Sequence, residues 1–193
     1  DSLSLVEETY VDEIDIQLVM NPSGYATVVW EDDYYGKILS KRYSASLGWG
    51  TTYNMAKNLL GDVYSPHVAA TNRWPSFMAV WTQSDISNLD YNEYGVWATR
   101  YPASFSAELI KVNYNAFPKS PRVAVNSSDD AVVVWKENGQ IMYNWYLADS
   151  GWKGTYVIIA PTDARNPQVV VDSSRNAMFV WEEGDNVFAS RFE

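Results

Sequence analysis

The 193-residue sequence contains no cysteine and a single histidine, His67. Without cysteine the chain cannot form a disulfide scaffold or a thiolate metal site, and one histidine leaves a histidine-based zinc or iron site short of ligands. The sequence also has no apolar run near the roughly 18 residues that a membrane-spanning helix needs. These absences exclude disulfide-rich proteins, thiolate or histidine metal centres, and helical membrane proteins.

Basic residues are also scarce. The chain has 14 lysines and arginines against 24 aspartates and glutamates, which gives a formal net charge of -10 at pH 7. Neutralising phosphate groups requires a basic surface, so this balance argues against nucleic acid and against docking on anionic membranes. Neither is predicted as a partner.

Aromatic residues are abundant, with 9 Trp and 14 Tyr in an aromatic share of 15%. Four of the tryptophans end a recurring phrase whose last two residues are Val-Trp, at 26–30, 77–81, 131–135 and 177–181. The successive tryptophans are 51, 54 and 46 residues apart. A period of about 40 to 55 residues with strand-like content is typical of propeller repeats rather than of helical solenoids.

Each copy of the repeat reads as four short strands. The phrase is preceded by a strand and a polar turn, as in 121–128, and is followed by a turn such as Asn138-Gly139. A third strand then ends in an aromatic residue, and a fourth follows after the next turn. The second strand is apolar on consecutive residues, so both faces of its sheet must be covered. The predicted fold is all-β, a β-propeller of four four-stranded antiparallel blades.

The repeat also predicts a single domain over 1–193, with blades at about 14–60, 61–115, 116–162, and 163–193 plus 1–12. The fourth copy stops after its third strand, and residues 3–7 are strand-like. We therefore expect the N-terminal strand to complete the last blade. The alternatives are an excerpt of a larger propeller and half of a propeller that a second chain completes.

Repeated residues are expected to serve the architecture. Each Val-Trp tryptophan should bury on the order of 200 Å² in the blade core. These tryptophans are Trp30, Trp81, Trp135 and Trp181. Acids after the tryptophans and arginines near the ends of the third strands predict two cross-strand ion pairs, Glu31 with Arg42 and Glu182 with Arg191.

Aromatic residues outside the repeat are candidates for binding, since exposed rings beside Asp and Asn are the usual chemistry of sugar recognition. The ligand-binding candidates are Tyr34, Tyr35, Trp74, Trp97, Tyr143, Trp145 and Trp152. Packing at the blade edges is the alternative role for these rings. His67 begins an innermost strand of the second copy, where it either lines the central channel or makes a structural hydrogen bond.

The second copy carries an acidic insertion at 84–93. Calcium takes about six to eight oxygen ligands, so Asp85, Asp90 and Glu93 are candidate metal ligands, with a solvated acidic loop as the alternative. Apart from this Ca²⁺ or an ion in the central channel, no cofactor is predicted.

The phrase Pro-x-Val-Ala-Val-(Asn/Asp)-Ser-Ser before the Val-Trp strand, with a third strand ending Arg-Tyr and then Gly-Trp, resembles repeats in bacterial secreted and surface β-propeller proteins. The resemblance covers nearly all of the chain. It implies the propeller fold and an extracellular, periplasmic or cell-surface location, and it assigns no activity.

Together these features favour a non-catalytic module, not an enzyme, that recognises a glycan or a protein surface through rim or axial-face aromatics. One alternative is a structural propeller that forms homo-oligomers or belongs to a larger propeller. The other is a glycoside hydrolase, which needs two carboxyl groups about 5–9 Å apart in a pocket. Its candidate carboxylates are Asp15, Asp32, Asp33, Glu137 and Glu183.

Overall fold

The computed structural model describes residues 15–32, 35–56, 61–71, 76–85, 93–101, 104–113, 117–158 and 163–193. The regular structure in these ranges is β-strand, and the strands form four antiparallel sheets that follow one another along the chain. In this part of the chain no helix is long and apolar enough to cross a membrane.

We number the sheets as blades 1 to 4 in chain order. Blade 1 contains β1 (Ile16–Met20), β2 (Ala26–Asp32), β3 (Lys37–Ser44), β4 (Gly48–Trp49) and β5 (Tyr53–Asn54). Blade 2 contains β6 (Val63–Ala70), β7 (Phe77–Asp85), β8 (Glu93–Tyr101) and β9 (Ser104–Asn113). Blade 3 contains β10 (Lys119–Val125), β11 (Ala131–Glu137), β12 (Gln140–Leu147) and β13 (Gly151–Ile158). Blade 4 contains β14 (Ala164–Val171), β15 (Ala177–Glu183) and β16 (Asn186–Phe192).

The strand order confirms the all-β propeller class predicted from the Val-Trp repeat. In blades 2 and 3 the four strands lie side by side in chain order. In blade 1 the fourth place is shared by β4 and β5, which both pair with β3. In blade 4 the described strands are β14, β15 and β16, and the predicted N-terminal strand at 3–7 lies outside the described residues.

The tryptophan that ends the second strand of each blade is buried. The exposed fractions are 3% for Trp30, 0% for Trp81, 0% for Trp135 and 5% for Trp181. Successive residues of a strand point to opposite faces of the sheet. The tryptophan therefore points to one face of the blade, and the valine before it points to the other.

Blade 3 shows what each face contacts. Val133 and Trp135 pack in one cluster with Val80 of blade 2. Val134 packs in another cluster with Phe179 of blade 4. We call these faces the Trp face, which meets the preceding blade, and the Val face, which meets the following blade. Consecutive blades thus stack with one Val face against one Trp face.

The innermost strands of blades 2, 3 and 4 share a bulge. Ser65, Ser120 and Asn166 have φ angles of 52°, 51° and 50°. Each of them directly precedes a proline, and the pairing register shifts at each position. Positive φ is uncommon for residues other than glycine, so its recurrence at one position marks a β-bulge built into the repeat.

The predicted cross-strand ion pairs are wrong. The hairpin register places Glu31 opposite Ile38, and Arg191 opposite Met178. Each predicted acid lies four residues along the strand from the residue that faces its arginine, which is roughly 13 Å. Glu31 instead accepts a hydrogen bond from the backbone N–H of Ser65 in blade 2, at 2.9 Å. Glu182 instead pairs with Arg165 on β14, with Nε and Oε2 3.1 Å apart, so both acids contact strands other than those predicted.

Candidate functional site

A groove opens at the rim where blades 3 and 4 meet. Its volume is about 420 Å³. We call it the blade 3–4 groove, and its lining residues are Tyr143, Trp145, Leu147, Lys153, Tyr156, Arg175 and Phe192. A volume of this size is within the range of small-ligand sites in proteins.

Strand register brings the rings of the groove together. Tyr143 lies opposite Tyr156 in the β12–β13 ladder, and their ring centroids are 5.3 Å apart. Trp145 lies two residues further along the same face of β12, with its ring 5.7 Å from that of Phe192 at the end of β16. The groove is therefore an aromatic surface held by two blades rather than by a loop.

Burial differs between the floor and the walls of the groove. Trp145 is only 6% exposed, whereas Tyr156 and Phe192 are 48% and 41% exposed. Burial, and then the neighbouring Tyr156, raise the pKa of Tyr143, so its hydroxyl stays protonated. The groove thus offers two accessible ring faces above an apolar floor.

Two cationic side chains border this aromatic surface. Lys153 on β13 is exposed, and Arg175 lies in the turn between β14 and β15. The Arg175 guanidinium donates to a carboxylate oxygen of buried Asp130, with Nε and Oδ2 2.8 Å apart. Burial of Asp130 opposes its ionisation, but hydrogen bonds from Arg175, the Ala148 N–H and Asn126 outweigh it and lower its pKa. Asp130 therefore stays charged and fixes Arg175 at the groove.

The rim between blades 1 and 2 carries an equivalent groove of about 290 Å³. Arg42 occupies the place of Trp145 in the repeat, and its guanidinium lies 4.0 Å from the ring centroid of Tyr101, the counterpart of Phe192. Arg100 of blade 2 repeats this stacking on Tyr146 of blade 3, at 3.9 Å. Replacement of the arginine by tryptophan in blade 3 is what makes the floor of the blade 3–4 groove apolar.

His67 lies in the contact between blades 2 and 3. Its Nδ1 accepts a hydrogen bond from the backbone N–H of Val123, at 3.3 Å. Burial, and then the charge of Arg122, lower the pKa of His67 to about 4. With Nδ1 as the acceptor, the neutral ring carries its proton on Nε2. This geometry matches the structural hydrogen bond that was one of the two predicted roles for His67.

The predicted aromatic candidates are scattered. Tyr143 and Trp145 meet in the blade 3–4 groove. Trp152 lies on the opposite face of blade 3, where its Nε1 donates to Glu108 Oε2 at 3.0 Å. Trp97 is buried in the cluster between blades 1 and 2, with 6% exposed, so its ring is not presented to a ligand.

The remaining candidates lie away from the groove or outside the described residues. Tyr35 is 60% exposed in the β2–β3 turn, with Lys37 Nζ 4.5 Å from its ring centroid. Tyr34 and Trp74 lie outside the described residues, as do Asp90 and the side chains of Asp85 and Glu93. Among the described residues, no cluster of three or more His, Cys, Asp or Glu side chains could hold a metal ion.

Sequence reasoning missed five residues of the groove, among them Leu147 at the end of β12. Tyr156 lies in a predicted fourth strand and Phe192 at a predicted strand end, so both were assigned to the architecture. Lys153 follows a turn and Arg175 lies in one, and neither belongs to a motif. The one available signal was the loss of the repeat arginine at Trp145, which separates blade 3 from the other copies.

A scan against protein-family models and a search of curated proteins find no match. Solved structures do share the fold. A polysaccharide lyase described as an ulvan lyase has a TM-score of 0.64 at 6% identity, covering 91% of this chain and 51% of that chain. An exo-β-1,3-galactanase from Phanerochaete chrysosporium gives 0.52 at 11% identity, covering 91% and 46%. A β-1,3-galactosidase gives 0.53 at 8% identity, covering 86% and 67%.

These likenesses are likenesses of fold, and the chain spans about half the length of the first two proteins. They nevertheless correct one expectation. The prediction that the chain is not an enzyme is contradicted, because the solved structures that share its fold include a polysaccharide lyase, glycoside hydrolases and a prolyl endopeptidase, all of them enzymes.

Proposed function

We propose that the chain belongs to a carbohydrate-active enzyme and that its blade 3–4 groove holds a sugar ring of an acidic polysaccharide. One observation carries the proposal. Four aromatic side chains line a single groove, and the exposed Lys153 lies at its edge, beside the Arg175 guanidinium that Asp130 pairs. The proposal includes the predicted extracellular, periplasmic or cell-surface location.

The chemistry of the groove fits a sugar better than a purely apolar ligand. A pyranose presents C–H groups on its faces, which pack on the exposed rings of Tyr156 and Phe192. Its hydroxyls need donors and acceptors, which the Tyr143 hydroxyl supplies. Lys153 at the edge of the groove favours a carboxylate or sulfate on the sugar.

The proposal gives the described groove a role in binding rather than in bond cleavage. Among the candidate carboxylates, Glu137 accepts a hydrogen bond from the Trp135 indole, with Nε1 and Oε2 3.0 Å apart. Asp32 accepts the backbone N–H of Tyr35 at 3.2 Å, and Asp33 lies outside the described residues. Support for polysaccharide cleavage comes from the lyase and the glycosidases that share the fold, not from the described carboxylates.

Isothermal titration with an acidic oligogalacturonide and a neutral galacto-oligosaccharide tests the proposal. We expect the acidic ligand to bind more tightly, and Tyr156→Ala to weaken it about fivefold or more because one stacking face is lost. Lys153→Met should remove the preference for the acidic ligand. Tyr35→Ala, which removes an exposed ring outside the groove, is the matched control and should leave binding unchanged.

Shortening of the polysaccharide, followed by size exclusion and by new reducing ends, tests the enzymatic part. An unsaturated product distinguishes elimination from hydrolysis. Equal binding by the Tyr156→Ala variant and the unaltered chain would overturn the groove assignment. The groove borders β16, which is the edge strand of blade 4 among the described residues. A structure in which a protein strand, rather than sugar, occupies the groove would also overturn the assignment.

A further inference from the structure

The two end blades expose positions that are buried in the middle of the stack. Leu18 on β1 is 64% exposed, whereas its counterparts Val68 and Val123 are 6% and 3% exposed. Met178 on β15 is 41% exposed, whereas its counterparts Met78 and Val132 are 2% and 0% exposed. These two repeat positions are therefore buried between blades and exposed at the two ends of the stack.

These two exposed surfaces are the complementary halves of one kind of interface. Leu18 belongs to the Trp face of blade 1, and Met178 belongs to the Val face of blade 4. Inside the chain the counterparts of these residues meet. Met78 and Val123 share the cluster between blades 2 and 3, and Val132 and Val169 share the cluster between blades 3 and 4.

The stacking along the rim continues the same pattern. Arg42 stacks on Tyr101 of the next blade, and Arg100 stacks on Tyr146 of the next blade. At the end of the series blade 4 presents Arg191, and blade 1 presents Tyr43 at the aromatic position. The Arg191 side chain is 58% exposed. A blade with the Trp face of blade 1 would give Arg191 the ring that the other arginines already have.

The exposed ends are also apolar beyond these residues. On β1, Ile16 and Met20 are exposed, and on blade 4, Val170 and Val187 are exposed. Contiguous exposed apolar surface on a soluble protein usually marks an interaction site. The intrachain interfaces show what kind of surface fits each end.

We propose that a second copy of this chain docks the Trp face of its blade 1 on the Val face of blade 4. Each chain carries both halves of the interface, so two copies form two identical contacts and close into a ring of eight blades. Head-to-tail contacts close into rings when the rotation allows it, and eight blades is within the known propeller range. The proposal is independent of the groove and of its ligand.

Light scattering coupled to size exclusion measures the mass, and we expect twice the chain mass of 21.9 kDa. Leu18→Glu and Met178→Glu should each give a monomer, because each interface contains one Leu18 and one Met178. Mixing the two variants should restore association, because one of the two interfaces in the mixed pair is then unaltered. Leu47→Glu, at an 88% exposed position in the β3–β4 turn, is the control and should stay dimeric.

A disulfide experiment keeps the test informative if the glutamate variants fold poorly. The chain has no cysteine, so Leu18→Cys combined with Met178→Cys introduces the only thiols. Oxidation should link two chains covalently. A crosslink within one chain would show closure at four blades, and a reduced monomer without a crosslink would show that neither end meets a copy. Either result overturns the proposal.

Discussion

His67 shows how a single polar side chain joins two blades. It lies on the innermost strand of blade 2 and accepts the N–H of Val123 on the innermost strand of blade 3. Burial and Arg122 keep it neutral in the folded protein, with a pKa of about 4. An ordinary histidine in the unfolded chain titrates near 6.5. This difference makes the stability of the fold depend on pH.

The sign of that dependence follows from proton binding. Between about 4 and 6.5 the unfolded chain binds more protons at His67 than the folded chain does. The stability contribution is thus fully present above pH 6.5 and is lost as the pH falls toward 4, by on the order of 3 kcal/mol. Urea unfolding across this range should show the loss, and His67→Gln should flatten the curve. An equally steep curve for His67→Gln would contradict the account. The lowered pKa of Asp130 acts in a lower window, below the ordinary carboxyl range near 3.9.

At the level of single residues the sequence was informative where the repeat constrains a position. The Val-Trp tryptophans recur at one place in each copy, and all four are buried. Trp97 has no tryptophan counterpart in the other copies. Its position in β8 directs its side chain into the core between blades 1 and 2, which composition alone does not predict. Tyr156 and Phe192 become neighbours of Trp145 only when blades 3 and 4 stack.

The hairpin turn at 126–130 helps to hold blade 3 to blade 4. In blade 3 the Asn126 Oδ1 accepts the N–H groups of Ser128 at 2.9 Å and Asp130 at 3.0 Å. Its Nδ2 donates to the carbonyl oxygen of Asp172 in blade 4, at 3.2 Å. Asn126 is 4% exposed, so water does not replace these bonds.

Asn126→Ala should therefore destabilise the fold by about 2 to 3 kcal/mol, since it leaves the buried N–H of Asp130 unpaired and removes the link to blade 4. Chemical denaturation measures the change. Asn21 makes the same two turn bonds in blade 1, to Ser23 and Tyr25. Asn21→Ala is the matched comparison and should cost less, because the side-chain hydrogen bonds of Asn21 stay within its own turn. Equal costs for the two variants would show that the bond to Asp172 contributes nothing.

The strands themselves were predictable because turn residues and apolar runs recur with the repeat. Their register was less predictable. The predicted Glu31–Arg42 ion pair is wrong because the hairpin places Glu31 opposite Ile38. Composition does not show which residues form the turn, and the turn sets the register. The recurring proline marks the position of the bulges at Ser65 and its counterparts in the sequence. It does not predict their positive φ, because a residue before proline usually adopts an extended conformation.

At the scale of the molecule, four similar blades form a stack, and the proposals rest on the positions at which the blades differ. One repeat arginine is replaced by Trp145, and an aromatic groove results. The two ends expose apolar positions that the middle blades bury, and we assign them to a second copy. Repetition made the fold readable from the sequence, whereas the groove depends on how neighbouring blades meet.

The central claim is that the blade 3–4 groove binds an acidic sugar, and a crystal structure of the chain with an acidic oligogalacturonide tests it most directly. The account predicts a sugar ring against Tyr156 and Phe192, with its carboxylate within hydrogen-bond distance of Lys153. Sugar bound at another surface, with the groove occupied by solvent or by a protein strand, would contradict it.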